Sequence, residues 1–288
     1  MNDLPEYIND AFVLVYADDV KLFYPVKNSI DCCKLQADLD NFKTFCDRCG
    51  LMINTSKCCV LTFSHKVSNV THHYHIGDFD LQRSDTVRDL GVIMDKKLSF
   101  NAHIDGVISK AFSMFGVVKR YANDFDDPYT IVTLYTALVR SSVEYAGIVW
   151  TPQYTIHKQR LERVQKKFVR FALRNLGWRD GLAPYVDLCR LINLNSLDCR
   201  RKINDVLFLK DLLTERFYSP YLLSQVTFNE GNRNLRRVRQ FQLPTRNTNY
   251  SMNEPVRRMM SMANDVQNVA SILDSRQTIR DKLKVHFM

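Results

Sequence analysis

The stretch Phe12-Val13-Leu14-Val15-Tyr16-Ala17-Asp18-Asp19-Val20-Lys21-Leu22-Phe23 most restricts what this 288-residue chain can fold into. Two runs of strand-forming apolar residues flank two adjacent carboxylates, so the segment reads as a β-hairpin with Asp18 and Asp19 at or beside its tight turn. Neighbouring carboxylates repel. Holding both ionised at a hairpin tip requires a hard cation between them and water or phosphate, and Mg²⁺, or Mn²⁺ in its place, suits that role. On this reading the pair is a metal-dependent phosphoryl-transfer site. The alternative is an ordinary Asp-Asp turn, because Asp is a favoured turn residue.

A hydrophobic content of 45% is ample for a packed core. No apolar run approaches the roughly 18 residues needed to span a bilayer. The start Met1-Asn2-Asp3-Leu4-Pro5-Glu6 lacks the basic and apolar regions of a signal peptide. An intracellular location is therefore expected, with no membrane partner and no disulfide-linked partner, the eight cysteines being buried thiols or metal ligands. Charge is uneven. Residues 1–100 carry 11 basic and 14 acidic side chains, hence −3, whereas the remainder carries 29 and 17, hence +12. An acidic pair beside a basic segment suits a polyanion held by its phosphates, which makes nucleic acid the expected partner.

Behind the hairpin, Ser29 reads as an N-cap, and Leu35, Leu39, Phe42, Cys46 and Cys49 follow helical spacing until Gly50. Leu51 to Phe63 reads as a turn leading into a buried strand at Val60-Leu61-Thr62-Phe63. Tyr74 to Leu81 reads as a hairpin with Gly77-Asp78 at its turn, and Val87 to Met94 as one further strand. Helical patterns follow: a stripe from Ile104 to Val118, a helix opened by Asp127-Pro128 and reaching about Ala146, and a helix over His157 to Leu176. In the last, Arg160, Arg163, Lys167, Arg170 and Arg174 recur at spacings of three and four beside an apolar stripe of Leu161, Val164, Phe168 and Phe171. One stripe can pack while the other faces phosphate; a solvated helix face is the alternative. A helix over roughly Ser196 to Phe217 adds Arg200, Arg201 and Lys202, Arg236, Arg237 and Arg239 lie beyond it, and a last helix begins near Pro255. Cys46-x-x-Cys49 with Cys58-Cys59 has knuckle-like spacing for zinc, but the first pair falls on the apolar stripe, which favours buried thiols. His72, His73 and His75 read as exposed loop and hairpin residues.

The order of these elements resembles the end of a reverse transcriptase palm followed by its thumb, and is most similar to non-LTR retrotransposons of the jockey type. The resemblance runs from Asn2-Asp3-Leu4-Pro5 through Tyr16-Ala17-Asp18-Asp19, Asn54, Lys57, Leu90-Gly91-Val92 and Trp150-Thr151-Pro152 to Trp178-Arg179-Asp180, with a weaker likeness at Arg246-Asn247-Thr248-Asn249-Tyr250.

The resemblance implies an α+β fold: a partial palm of antiparallel strands plus helix over residues 1–100, a helical thumb over 101–180, and a basic helical region over 181–288. It implies an RNA-directed DNA polymerase using Mg²⁺ to join nucleotides to a primer 3′-hydroxyl, with RNA template and DNA primer as partners in nucleus and cytoplasm. By carry-over, Asp18 and Asp19 are catalytic and metal-binding and Tyr16 lies near the primer end or the incoming nucleotide. Lys57 approaches the triphosphate, unless it is a surface Lys closing a turn. Leu90-Gly91 grips the primer strand, unless it marks a strand bulge, and the basic stripe contacts nucleic acid. The family's third carboxylate, its fingers and its Gln-Gly segment precede the matched stretch, and neither Asp3 nor Asp10 matches the absent position. A chain inactive by itself is expected, with a non-catalytic nucleic-acid-binding remnant as the alternative.

Overall fold

The computed structural model describes residues 3–66, 70–125, 127–178, 183–229, 239–246 and 248–287. Arg179, Asp180, Arg236, Arg237 and Asn247, singled out above, lie outside the described residues. The protein is a mixed α+β molecule with two compact units, Met1–Phe100 and Asn101–Met288, the second containing both segments 101–180 and 181–288.

In the first unit, β1 (Phe12–Tyr16) and β2 (Asp19–Phe23) form an antiparallel hairpin. Helix α1 (Ser29–Arg48) begins one residue earlier in capping terms than the sequence suggests. Asn28, not Ser29, is the N-cap: its side chain accepts from the Asp31 N–H while the Asp31 carboxylate accepts from the Asn28 N–H, closing a capping box. At the other end Gly50 takes a positive φ of 66° and the Leu51 N–H reaches back to the Cys46 carbonyl at 2.8 Å, terminating the helix.

Two strand expectations are corrected. The Val60–Phe63 strand shrinks to β3 (Cys59–Val60), which pairs in parallel with the equally short β6 (Gln82–Arg83), while Phe63 is exposed. An apolar run without a long partner strand cannot satisfy its backbone groups and stays irregular. Between them, β4 (His75–Ile76) and β5 (Phe79–Asp80) form the expected hairpin about Gly77-Asp78. Val87 to Met94 is not one strand. It is a second hairpin, β7 (Thr86–Asp89) and β8 (Val92–Asp95), turning at Leu90-Gly91. Both turn residues have positive φ, 43° and 84°, the requirement of a two-residue type I′ turn. Buried side chains in this unit form two small clusters, Leu4, Ile8, Phe45 and Cys46 under the first hairpin, and Cys32, Leu39, Tyr74 and Ile76, with Leu22 and Ile53 packed against both.

The second unit is helical. Helix α2 (Asn101–Tyr121) buries Ile104, Ile108, Ala111, Phe115 and Val118. Asp127 caps α3 (Pro128–Leu134) through the Tyr129 N–H at 3.0 Å, and the helix continues as a π-helical turn over Tyr135–Arg140 into α4 (Ser141–Glu144). Within that turn Tyr135 stacks on Phe168 at 3.8 Å and donates to the fully buried Gln165. After α5 (Gly147–Trp150), α6 (Thr155–Asn175) carries Leu161, Val164, Phe168 and Val169 inward. Helices α7 (Tyr185–Leu191), α8 (Leu197–Leu213), α9 (Pro220–Ser224) and α10 (Asn249–Met252) follow. The single last helix expected is two, α11 (Pro255–Val266) and α12 (Arg276–Phe287), both packed on α8. Their core joins Ile203, Val206 and Leu209 of α8 with Met259, Ala263, Ile279 and Leu283.

Candidate metal and nucleic-acid site

The register of the first hairpin fixes where its carboxylates stand. Tyr16 pairs with Asp19, leaving Ala17 and Asp18 as the two turn residues, with Ala17 at a φ of 53°. Side chains alternate between faces. Val13, Val20 and Leu22 pack inward against Leu4, Ile8 and Phe45. The opposite face carries the cross-strand pairs Phe12 with Phe23, Leu14 with Lys21, and Tyr16 with Asp19. That outer face is open: Phe12, Leu14 and Tyr16 are 58%, 55% and 63% exposed. The Phe12 and Phe23 rings stack on each other at 5.2 Å.

Asp18 and Asp19 are both exposed at the tip, and among the described residues neither side chain is engaged in a hydrogen bond or an ion pair. Two free carboxylates offer hard oxygen donors, and Mg²⁺ is commonly held by one or two carboxylates with water and substrate phosphate filling its other positions. The donor set therefore fits that ion in its chemistry. Among the described residues no three His, Cys, Asp or Glu side chains gather around a common point. Asp3 sits at the N-cap position of a short 3₁₀ turn over Leu4–Glu6, and Asp10 is paired with Lys34 at 3.0 Å.

One ion pair links this hairpin to the second. Lys21, on the open face beside Leu14, meets Asp89 at 2.5 Å, and Asp89 immediately precedes Leu90-Gly91. The fold thus brings the Leu90-Gly91 turn toward the face that carries Tyr16 and Asp19. Neither Lys21 nor Asp89 stands out in the sequence; a lone charge within an apolar strand was the available signal. Lys57 closes a 3₁₀ turn over Thr55–Lys57 and is exposed, its N–H bonded to the Asn54 carbonyl at 3.1 Å. That turn follows Ile53, which packs with Val13 and Leu22 under the hairpin.

In the second unit, Arg163, Lys167, Arg170 and Arg174 stand exposed along α6, opposite its buried apolar face. Arg160 differs, pairing with Asp105 of α2 at 2.7 Å. Lys167 lies over the Phe112 ring at 4.8 Å and Lys119 over Phe171 at 5.6 Å, so apolar stems and rings hold charges on this surface without neutralising them. The basic residues of α8 behave otherwise. Arg200 forks onto Glu144, Lys202 pairs with Asp198 at 2.8 Å, and Arg201 is buried, which removes all three from any display of charge.

Cys46 is buried, and burial pushes its thiol up; Cys49 one turn on is exposed, a correction to its place on the inward stripe. Helix α1 ends at Arg48, so Cys49 no longer follows the helical face. All eight cysteines are free thiols. His72 lies edge-on to Tyr74, and the His75 ring meets the Gly77 carbonyl at 3.2 Å. Among the described residues no helix is long and apolar enough to cross a membrane. Comparison with protein-family models, with curated proteins and with solved structures found no match to this chain.

Proposed function

We propose that this chain is the C-terminal palm and thumb part of a reverse transcriptase of the non-LTR retrotransposon kind. The observation that carries the reading is the open hairpin tip, where Asp18 and Asp19 stand unpaired among the described residues, beside Tyr16 at a two-residue turn. Asp18 and Asp19 would hold Mg²⁺, which when bound neutralises phosphate charge and polarises the reacting oxygens. Tyr16, exposed and in register with Asp19, offers an aromatic surface against which a base or sugar can stack. Leu90-Gly91, drawn in by the Lys21–Asp89 pair, lets backbone approach a strand closely, and Lys57 is free to meet phosphate. A full two-metal centre asks for a further carboxylate than this pair supplies, so the chain by itself is proposed to bind primed template without extending it.

The test uses an RNA template annealed to a DNA primer. Binding is expected at low salt and should weaken steeply as salt rises, because each phosphate contact releases a counterion. Mg²⁺ should strengthen binding in the parent chain and not in Asp18→Ala. A Mg²⁺-dependent extension abolished by Asp18→Ala would overturn the inactivity of the isolated chain, and no binding at low salt would overturn the whole reading. The exposed charges of Arg163, Lys167, Arg170 and Arg174, which meet no carboxylate among the described residues, favour a second reading, a non-catalytic nucleic-acid-binding protein. Its mark is salt-dependent affinity indifferent to both Mg²⁺ and Asp18→Ala, and lost when those four residues become Gln.

A further inference from the structure

We infer that Asp89 is a positioning residue for the acidic hairpin tip: it holds the Lys21 ammonium away from Asp19 and so leaves Asp18 and Asp19 open to a divalent cation. The role rests on the metal-binding reading of those two carboxylates.

The need for such a residue follows from the period of β2. Val20 and Leu22 pack inward, so Asp19, Lys21 and Phe23 belong to the open face. Positions two apart on one strand face lie about 7 Å from each other. A lysine ammonium rides on a flexible four-carbon stem and can cover that distance. Phe12, Leu14, Tyr16 and Phe23 of the same face carry no charge, so the nearest counter-charge along the hairpin itself is Asp19. With only the hairpin around it, the ammonium would fall back along β2 and neutralise the oxygens that a cation needs.

The second hairpin takes that charge instead. Lys21 Nζ meets Asp89 Oδ1 at 2.5 Å, and the two side chains are only 33% and 22% exposed, so salt screens this pair less than it screens the open tip. Asp89 ends β7, where it stands in register with Val92 of β8, a buried residue. Strand pairing and packing therefore fix its backbone without help from Lys21. An ion pair this near solvent adds little to stability, so its main effect at this place is on where the lysine charge stands.

The test is Mn²⁺ binding to the full chain, followed by the electron paramagnetic resonance of the free ion at constant ionic strength. The chains compared are the parent, Asp89→Asn, Lys21→Gln and the double variant, with circular dichroism to check that each is folded. Asp89→Asn should weaken Mn²⁺ binding about fivefold while Lys21 is present, and about twofold or less beside Lys21→Gln, where no ammonium remains to move. Lys21→Gln alone should strengthen binding. Equal losses from Asp89→Asn in both backgrounds would show that Asp89 acts through its own charge, and would overturn the inference. Weaker binding in both single variants would do the same, because it marks a simple tether between the hairpins. In either case Asp18→Ala still abolishes uptake and the metal site stands. Mn²⁺ uptake indifferent to Asp18→Ala would overturn the metal site and the role of Asp89 together.

Discussion

At the scale of single residues, Asp38 does the most to fix where the acidic hairpin starts. It is 1% exposed on α1, and its two carboxylate oxygens accept from the backbone N–H groups of Asn9, Asp10 and Ala11 at 2.8, 2.9 and 2.7 Å. Those three residues lead directly into β1, so one side chain ties the strand's entry to the helix beneath it. Replacing it with Ala leaves three donors without a partner, and the expected loss is about 3 kcal/mol from the first unit. Urea unfolding followed by a probe in that unit should show a lower midpoint with little change in slope. Nothing in the sequence marks Asp38, because its partners are backbone groups far along the chain and a helical Asp reads as a surface residue. Asp18 and Asp19 are the opposite case: their turn and their register follow from alternating residues a few positions away, and the hairpin was legible for that reason.

At the scale of elements, local patterning reached as far as local causes did. The helices α2 and α6 follow from apolar spacing within each segment, and α3 from its Asp127-Pro128 start. The β7–β8 hairpin was missed because Leu90-Gly91 lacks the Asn-Gly pattern that usually announces a type I′ turn. Leu90 tolerates a left-handed φ of 43° only because the paired strands impose it. Leu90→Asn should therefore stabilise the first unit by roughly 0.5 to 1 kcal/mol, since Asn enters that region more readily. The same substitution removes an exposed apolar side chain from beside the Lys21–Asp89 pair. If Leu90 contacts a primer strand, affinity for primed template should fall even as the melting temperature rises. A gain in both would argue for a turn with no role in binding. The charges of α8 were misjudged for a tertiary reason: Arg200, Arg201 and Lys202 look like an exposed basic run until Glu144, Glu162 and Asp198 are brought beside them.

At the scale of the whole molecule, the two units differ in how much apolar surface they bury. The first relies on two small clusters and leaves Phe12, Leu14, Tyr16 and Phe23 about half exposed or more on one sheet face. Four such side chains forfeit roughly 3 to 6 kcal/mol relative to full burial, a sizeable share of what holds a domain together. The second unit instead joins α8, α11 and α12 through one continuous core from Cys199 to Leu283. Unfolding should accordingly occur in two steps, the first unit at lower denaturant. Hydrogen exchange would assign them: amides of β1 and β2 should exchange well before those of α8 and α11, whose bonds open only with the larger core. A single transition with equal protection in both units, at a midpoint that rises with protein concentration, would instead show that the hairpin face is covered by a second copy of the chain, because only association between copies makes the midpoint depend on concentration.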